Sequence, residues 1–302
     1  MLIRSPTGAD DQSYNQTMNM EITARMVQDL RERSGAPLMD CKRALSATNG
    51  SVDAAFDHLR KAGLKTADKK AGRSMAAGRI GAQISPNGAA GAMIALSCET
   101  DFSANTDDFG SMVAKMCTHV LRHRPATAEV MLGQKFDGSG ATIDELLKQL
   151  VGKIGENMQL ASMAHYENNK GRVGAYVHFN NRAGALVSIT SDAAPEKIDG
   201  FIKELGMHIV SSRPMVRTRA EVSADAIERE QAVYRESDDL KGKPADRIGK
   251  ILEGKLEKYY QGIVLLEQPW VKDPGITVER ALIAALDKNA RIEAFSLFQA
   301  GA

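Results

Sequence analysis

An α+β fold is predicted by three features of this 302-residue sequence. Its middle repeats itself, and each copy reads as a hairpin of two alternating strands followed by an amphipathic helix. Three short helix patterns precede the repeat. Two longer ones, joined by Lys241-Gly242-Lys243-Pro244, follow it. At 43% hydrophobic and 25% charged, the chain has ordinary globular composition and room for two or three modest domains. A net charge of +1 argues against a dedicated nucleic-acid binder. No run approaches the roughly 18 apolar residues that span a bilayer.

Residues 1–19 are polar and carry Asp10 and Asp11. They lack both the apolar core of a signal peptide and the Arg-rich character of a transit peptide. We expect a disordered leader or added extension, with Met20 as the natural start. Residues 20–64 then read as a three-helix module. The first helix carries Ile22, Met26, Val27 and Leu30 on one face and stops near Ser34-Gly35. The second starts with Pro37 at its first helical position and buries Leu38, Cys41 and Leu45. Asn49-Gly50 closes it, and Ser51 caps a third helix with Phe56 and Leu59 inward, ending at Gly63. Residues 65–78 form a basic stretch with Lys65, Lys69, Lys70 and Arg73, and Arg79 follows. Without interleaved aromatic residues to stack on bases, it reads as a solvated linker rather than a nucleic-acid patch.

The repeat occupies 79–142 and 172–222. Arg79-Ile80-Gly81-Ala82 recurs as Arg172-Val173-Gly174-Ala175, and Gly91-Ala92-Met93-Ile94 as Gly184-Ala185-Leu186-Val187, both offset by 93 residues. Further on, His119 matches His208 and Arg124-Pro125 matches Arg213-Pro214, offset by 89, so the first copy holds four extra residues between Glu99 and Phe109. A polar loop enlarged in one copy and carrying an aromatic residue points to function there. A connecting helical segment, 143–171, is expected to be helical from about Ile143 to Met163. A helical hairpin, 223–262, follows the second copy, its helices spanning about Ser223–Glu236 and Ala245–Tyr260 with Ile251, Leu252 and Leu256 as its seam. The chain then returns to the core over 263–302, with a helix near Val278–Leu286 and a strand near Glu293–Phe298.

Catalytic signatures are missing. Gly152-Lys153 is followed by Ile154 and lacks the first glycine of a phosphate-binding loop, and no nucleophile elbow or zinc-protease motif occurs. His119 and His123 share a helix face without a third ligand and read as ordinary helix histidines. Asp107-Asp108 and Asp238-Asp239 read as solvated turns rather than acid–base pairs. Cys41, Cys98 and Cys117 fit buried thiols in a reducing cytosol. No enzyme, metal or cofactor is indicated.

The anchors Arg31-Glu32-Arg33-Ser34-Gly35-Ala36-Pro37-Leu38-Met39-Asp40-Cys41-Lys42, Glu99-Thr100-Asp101-Phe102 and Lys153-Ile154-Gly155-Glu156-Asn157 carry a resemblance. Gly242-Lys243-Pro244 followed by Gln268-Pro269-Trp270 extends it. In that order they resemble the bacterial elongation factor Ts family, from about Met20 to the last strand. The resemblance implies a small ubiquitin-associated-like module, a duplicated α+β core with antiparallel sheets and an inserted antiparallel coiled-coil hairpin. It implies a cytoplasmic, non-enzymatic exchange factor that binds elongation factor Tu, favours its nucleotide-free form and promotes GDP release. No membrane or direct nucleic-acid contact is implied, and a 2:2 assembly is left open.

By resemblance, Thr100, Asp101, Phe102 and Ser103 form the exchange loop, with Phe102 inserting between helices of the GTPase and Asp101 disturbing its Mg²⁺ region. The residues alone also allow Phe102 to pack in its own core while Asp101 caps the next helix. Arg31, Leu38 and Met39 match contacts of the N-terminal module, and Ile154, Gly155 and His178 match contacts of the core. Leu38 also reads as a core residue; Met39, off the buried stripe, is the better contact. Three departures stand out. Ser103 replaces a frequent apolar residue and is expected to loosen the loop. Leu38-Met39 replaces two methionines, and the ending at Gln299-Ala300-Gly301-Ala302 omits a longer helix found in many relatives. The rival reading is an RNA- or ribosome-binding accessory protein using the basic stretch and the hairpin.

Overall fold

The computed structural model describes residues 22–70, 72–237, 240 and 244–301. The expectations for 1–19, for Asp238-Asp239 and for the Lys241-Gly242-Lys243 joint lie outside the described residues. The chain divides into two compact units, Met1–Lys65 and Thr66–Ala302.

In the first unit, α1 (Ala24–Ser34) begins where Thr23 Oγ1 accepts the Met26 N–H at 3.3 Å. It ends where Gly35, at φ 64°, donates its N–H to the Arg31 carbonyl. Pro37 is the residue before α2 (Leu38–Ala47) rather than its first member. Asn49 and Gly50, both at positive φ, turn the chain toward α3 (Val52–Lys70), where Ser51 Oγ accepts the Ala54 N–H at 3.4 Å. Val27, Leu30, Cys41, Ala44, Leu45 and Ala55 form the core, with Phe56 and Leu59 packed against it. Leu38 does not join them. It is 49% exposed because it opens the first turn of α2, and the buried stripe starts at Cys41. The third helix also passes through Gly63 to Lys70, so the early part of the 65–78 linker is helical. A mid-helix glycine costs only about 1 kcal/mol relative to alanine.

The second unit repeats one motif. In the first copy β1 (Ala77–Ile84) pairs antiparallel with β2 (Ala90–Cys98). A short α4 (Asp101–Ala104) precedes α5 (Asp107–His123), α6 (Ala128–Gly133), α7 (Ile143–Ile154) and β3 (Met158–Glu167). The second copy has β4 (Gly171–Val177), β5 (Ala183–Thr190) and α8 (Pro195–Ser212). Then come α9 (Ala224–Arg235), α10 (Ala245–Ile263), a small ribbon of β6 (Pro269–Trp270) and β7 (Asp273–Thr277), α11 (Val278–Ala285) and β8 (Arg291–Gln299). The main sheets run β1-β2-β3 and β4-β5-β8, with antiparallel pairing throughout.

The segment expected to be helical from Ile143 to Met163 is therefore split. Gly155, at φ 87°, stops α7, and Met158 to Glu167 become the third strand of the first sheet. The unpaired edge of β2 supplies the reason, since β3 satisfies its backbone groups along nine residue pairs.

Both central strands are covered on two faces. Ala92, Ile94 and Leu96 point to the core under α5, while Met93 and Ala95 enter a seam that also holds Ile80, Val173, Leu186 and Phe298. Ala185, Val187 and Ile189 likewise join the core under α8. The resulting layers are helix, sheet, sheet, helix. Across the seam the Ile80 N–H bonds the Asn181 carbonyl at 2.8 Å and the Val173 N–H bonds the Gly88 carbonyl at 2.7 Å, reciprocal contacts related by the 93-residue offset. Lys255 of α10 reaches Ser237 Oγ, just past α9, at 2.9 Å and lies 5.4 Å from the ring centre of Tyr234 on α9, while Ile251, Leu252 and Leu256 are half-buried.

Candidate functional site

The four extra residues of the first copy lie where the two strand-to-helix connections differ. Residues 99–106 join β2 to α5, whereas 191–194 suffice between β5 and α8. The longer connection is built from hydrogen bonds. Thr100 Oγ1 accepts the Ser103 N–H at 3.4 Å and so caps α4. The Thr100 N–H and hydroxyl donate to the two Glu156 carboxylate oxygens at 3.0 and 2.6 Å. One residue back, Glu99 Oε1 accepts the Asn157 N–H at 2.7 Å and pairs with Arg73 at 3.4 Å. Thr106 Oγ1 then accepts the Phe109 N–H at 3.3 Å and caps α5.

Partial burial pushes the Glu156 carboxyl toward neutrality, but the hydrogen bonds from Thr100 and Ser103 outweigh it and hold the group below its ordinary range. Burial, followed by the nearby Glu156 charge, pushes the Cys98 thiol up to about 11, so at neutral pH it stays protonated and unreactive.

This frame fixes the backbone while two side chains face out. Ser103 and Ala104 are buried, and Phe109 fills the core beneath them. Phe102 is 89% exposed. The core-packed alternative for Phe102 is therefore excluded. Ser103 is buried, and its hydroxyl helps hold the Glu156 carboxyl below its ordinary range. Asp101 faces Arg182 Nη1 at 3.4 Å.

Ile154 is half-buried against the core at the end of α7, and Gly155 is exposed, its carbonyl bonded by Lys70. The adjoining Glu156 ties both to the Thr100–Ser103 loop. His178 lies in the β4–β5 turn, its Nδ1 paired with the Tyr176 hydroxyl at 2.8 Å. Through Arg182 this turn of the second copy meets the loop of the first. Arg31, Leu38 and Met39 are all exposed on the first unit. Sequence reasoning missed three residues here. Glu156 stood inside a quoted motif without a role. Phe179, 87% exposed beside His178, stands where the first copy has Pro86, and Arg182 where it has Ala89.

Among the described residues no group of three or more His, Cys, Asp or Glu side chains could hold a metal ion. His119 is buried with Nε2 2.8 Å from Gln134 Oε1, and His208 makes the same bond to Gln268 at 2.9 Å, so this histidine is a core element in each copy. Gln268 also bonds the Ser212 and Gly262 carbonyls, and Trp270 stacks on Phe201, which gives Gln268-Pro269-Trp270 a structural role. Among the described residues no helix is long and apolar enough to cross a membrane.

A family model described as "Elongation factor TS" matches residues 99–302, more than half of the chain. A curated relative named "Elongation factor Ts" from Trichlorobacter lovleyi is 39% identical over 271 residues, covering 88% of this chain and 87% of its own length. One of the same name from Methylococcus capsulatus is 37% identical, covering 93% of each. One from Bartonella bacilliformis is 38% identical over 93% of this chain and 94% of its own.

Proposed function

The chain belongs to the elongation factor Ts family of translation elongation factors, and on that premise we propose that it is the guanine-nucleotide exchange factor for elongation factor Tu. The observation that carries this reading is Phe102, 89% exposed at the tip of a loop whose backbone is held by Thr100, Glu156 and Glu99. An apolar ring held out in water on a fixed backbone is preorganised to anchor in a partner's groove, because little ordering entropy remains to be lost on binding.

Its action is displacement without covalent chemistry. GDP and Mg²⁺ sit in a preorganised pocket of a GTPase, and a partner weakens that pocket only by binding its nucleotide-free form more tightly. Phe102 wedges between helices of the GTPase domain, Asp101 perturbs the Mg²⁺ region, and Thr100 and Ser103 hold the loop. Ile154 and Gly155 extend this contact. His178 meets the partner's C-terminal body. Arg31, Leu38 and Met39, on a three-helix module of ubiquitin-associated type, add a further surface. The helices α9 and α10 form an antiparallel coiled-coil hairpin. The factor works in the cytoplasm, and its stoichiometry is open to a 2:2 assembly. No observation favours the RNA-binding alternative, since Lys70 and Arg73 of the basic stretch bond Gly155 and Glu99 instead.

The test loads elongation factor Tu with fluorescent GDP and follows release in excess unlabelled GDP. Wild type is expected to accelerate release strongly, and Asp101→Ala/Phe102→Ala to lose most of that effect. No acceleration by wild type would sink the proposal. Equal acceleration by the double variant would keep the function and move the site.

A further inference from the structure

The β1–β2 and β4–β5 turns have one backbone geometry. The Ser85 N–H bonds the Ala90 carbonyl at 2.8 Å as the His178 N–H bonds the Ala183 carbonyl at 2.8 Å. Asn87 Oδ1 accepts the Ala89 N–H at 3.1 Å, and Asn180 Oδ1 accepts the Arg182 N–H at 3.0 Å. Gly88 and Asn181 occupy the same left-handed position, at φ 69° and 56°. With the geometry kept, the replacement of Ser85, Pro86 and Ala89 by His178, Phe179 and Arg182 serves something other than turn formation.

Arg182 reaches outside its own copy. Its Nη1 faces Asp101 Oδ2 at 3.4 Å and its Nη2 donates to the Ala76 carbonyl at 3.1 Å. Asp101 belongs to the longer connection present only in the first copy. Two departures from the internal symmetry thus meet in one ion pair. Its side chains are 41% and 60% exposed, so solvent screens it and it contributes little to folding. The geometry points to Arg182 as a positioning residue: its guanidinium, braced on the Ala76 carbonyl, orients the Asp101 carboxylate and so couples the His178–Arg182 turn to the exchange loop. This inference rests on the exchange-factor reading for its functional consequence, while the orientation itself is a property of the free chain.

Arg182→Ala installs the residue that the same turn carries at Ala89, so the fold accommodates it. In the GDP-release assay Arg182→Ala is expected to lower the saturating rate by about three- to tenfold while leaving the half-saturating concentration within about twofold, the mark of lost orientation rather than lost binding. Arg182→Lys, which keeps a cation, recovers most of the rate. In an Asp101→Ala background Arg182→Ala has no further effect. Additive losses, or a wild-type saturating rate for Arg182→Ala, would overturn the inference. A second readout needs no partner. Amide hydrogen exchange in the free chain is expected to speed up at Ala104 and Asn105, whose N–H groups bond the Thr100 and Asp101 carbonyls at 3.2 and 3.1 Å, in Arg182→Ala but not in Arg182→Lys. If wild type fails to release GDP, the functional reading falls alone and this exchange measurement decides the inference, with unchanged protection overturning it.

Discussion

At the scale of single residues, the exposure of Phe102 has meaning only beside the carboxylate that fixes its loop. Glu156 receives two bonds from Thr100 and is held ionised below its ordinary range. A carboxyl whose folded-state value is depressed contributes stability that is fully present above its unfolded value and lost as pH falls through the folded one. The loop is therefore expected to stay locked through the ordinary carboxylate range and to loosen only at more acidic pH. A pH series of amide protection at residues 103–105 checks this. Glu156→Gln, which keeps the shape but gives up the charge, is expected to shift the loosening out of that acidic window and to slow GDP release by about tenfold, since charge-assisted bonds are roughly twice as strong as neutral ones. Phe179 makes a different prediction. Its ring is 87% exposed, so Phe179→Ala leaves thermal stability unchanged. As an aromatic anchor beside His178 it is worth about 1–2 kcal/mol of binding, and the half-saturating concentration for elongation factor Tu should rise accordingly. An unchanged value would remove Phe179 from the interface.

At the scale of elements, the repeat in the sequence is a repeat in the ladders. β1–β2 and β4–β5 share their register, and the third strands both shift register at equivalent points, Ala95/Leu96 and Ser188/Ile189. Gly171 shows why the repeat is strict, because a Cβ there would lie 2.1 Å from the Ile189 carbonyl oxygen, a backbone atom that cannot move aside. Gly171→Ala is thus expected to destabilise the second unit by about 1–3 kcal/mol, measured as a fall in the midpoint of chemical denaturation, and a neutral result would show that the ladder yields. The strand hairpins, α5, α8, α9, α10 and the last strand were legible because each carries its own period of apolar residues. β3 was not, because Met158 to Met163 are good helix formers and strand pairing with β2 overrode that local preference. The exposed loop was legible from a length difference between copies. Arg182 was not, being 81 residues from Asp101 with no local pattern to mark it. Leu38 was misread because a helical stripe does not say where the first turn leaves the core.

At the scale of the whole molecule, the second unit is a near-symmetric body whose departures from symmetry gather where the first copy's loop meets the second copy's turn. The symmetric part is buried: Ile80, Val173, Met93 and Leu186 close one seam, and the matching histidines His119 and His208 each bond a glutamine, Gln134 and Gln268. For the proposed exchange reaction, a partner can weaken the nucleotide pocket only by binding the nucleotide-free form more tightly than the GDP-bound one. The thermodynamic consequence is strict. If the chain lowers the affinity of elongation factor Tu for GDP by some factor, GDP lowers the affinity for the chain by the same factor, with about 5–150-fold as the ordinary range of such coupling. Calorimetric titration of nucleotide-free elongation factor Tu with the chain, then with GDP saturating, measures one side of the cycle. Titration of GDP into the free and chain-bound partner measures the other. Equal factors are expected for wild type, and both shrink together in Asp101→Ala/Phe102→Ala while Gly171→Ala, once folded, leaves them alone. If GDP and the chain bind the partner without mutual weakening, the proposed wedge does not act on the nucleotide pocket, and Phe102 anchors an interaction of another kind.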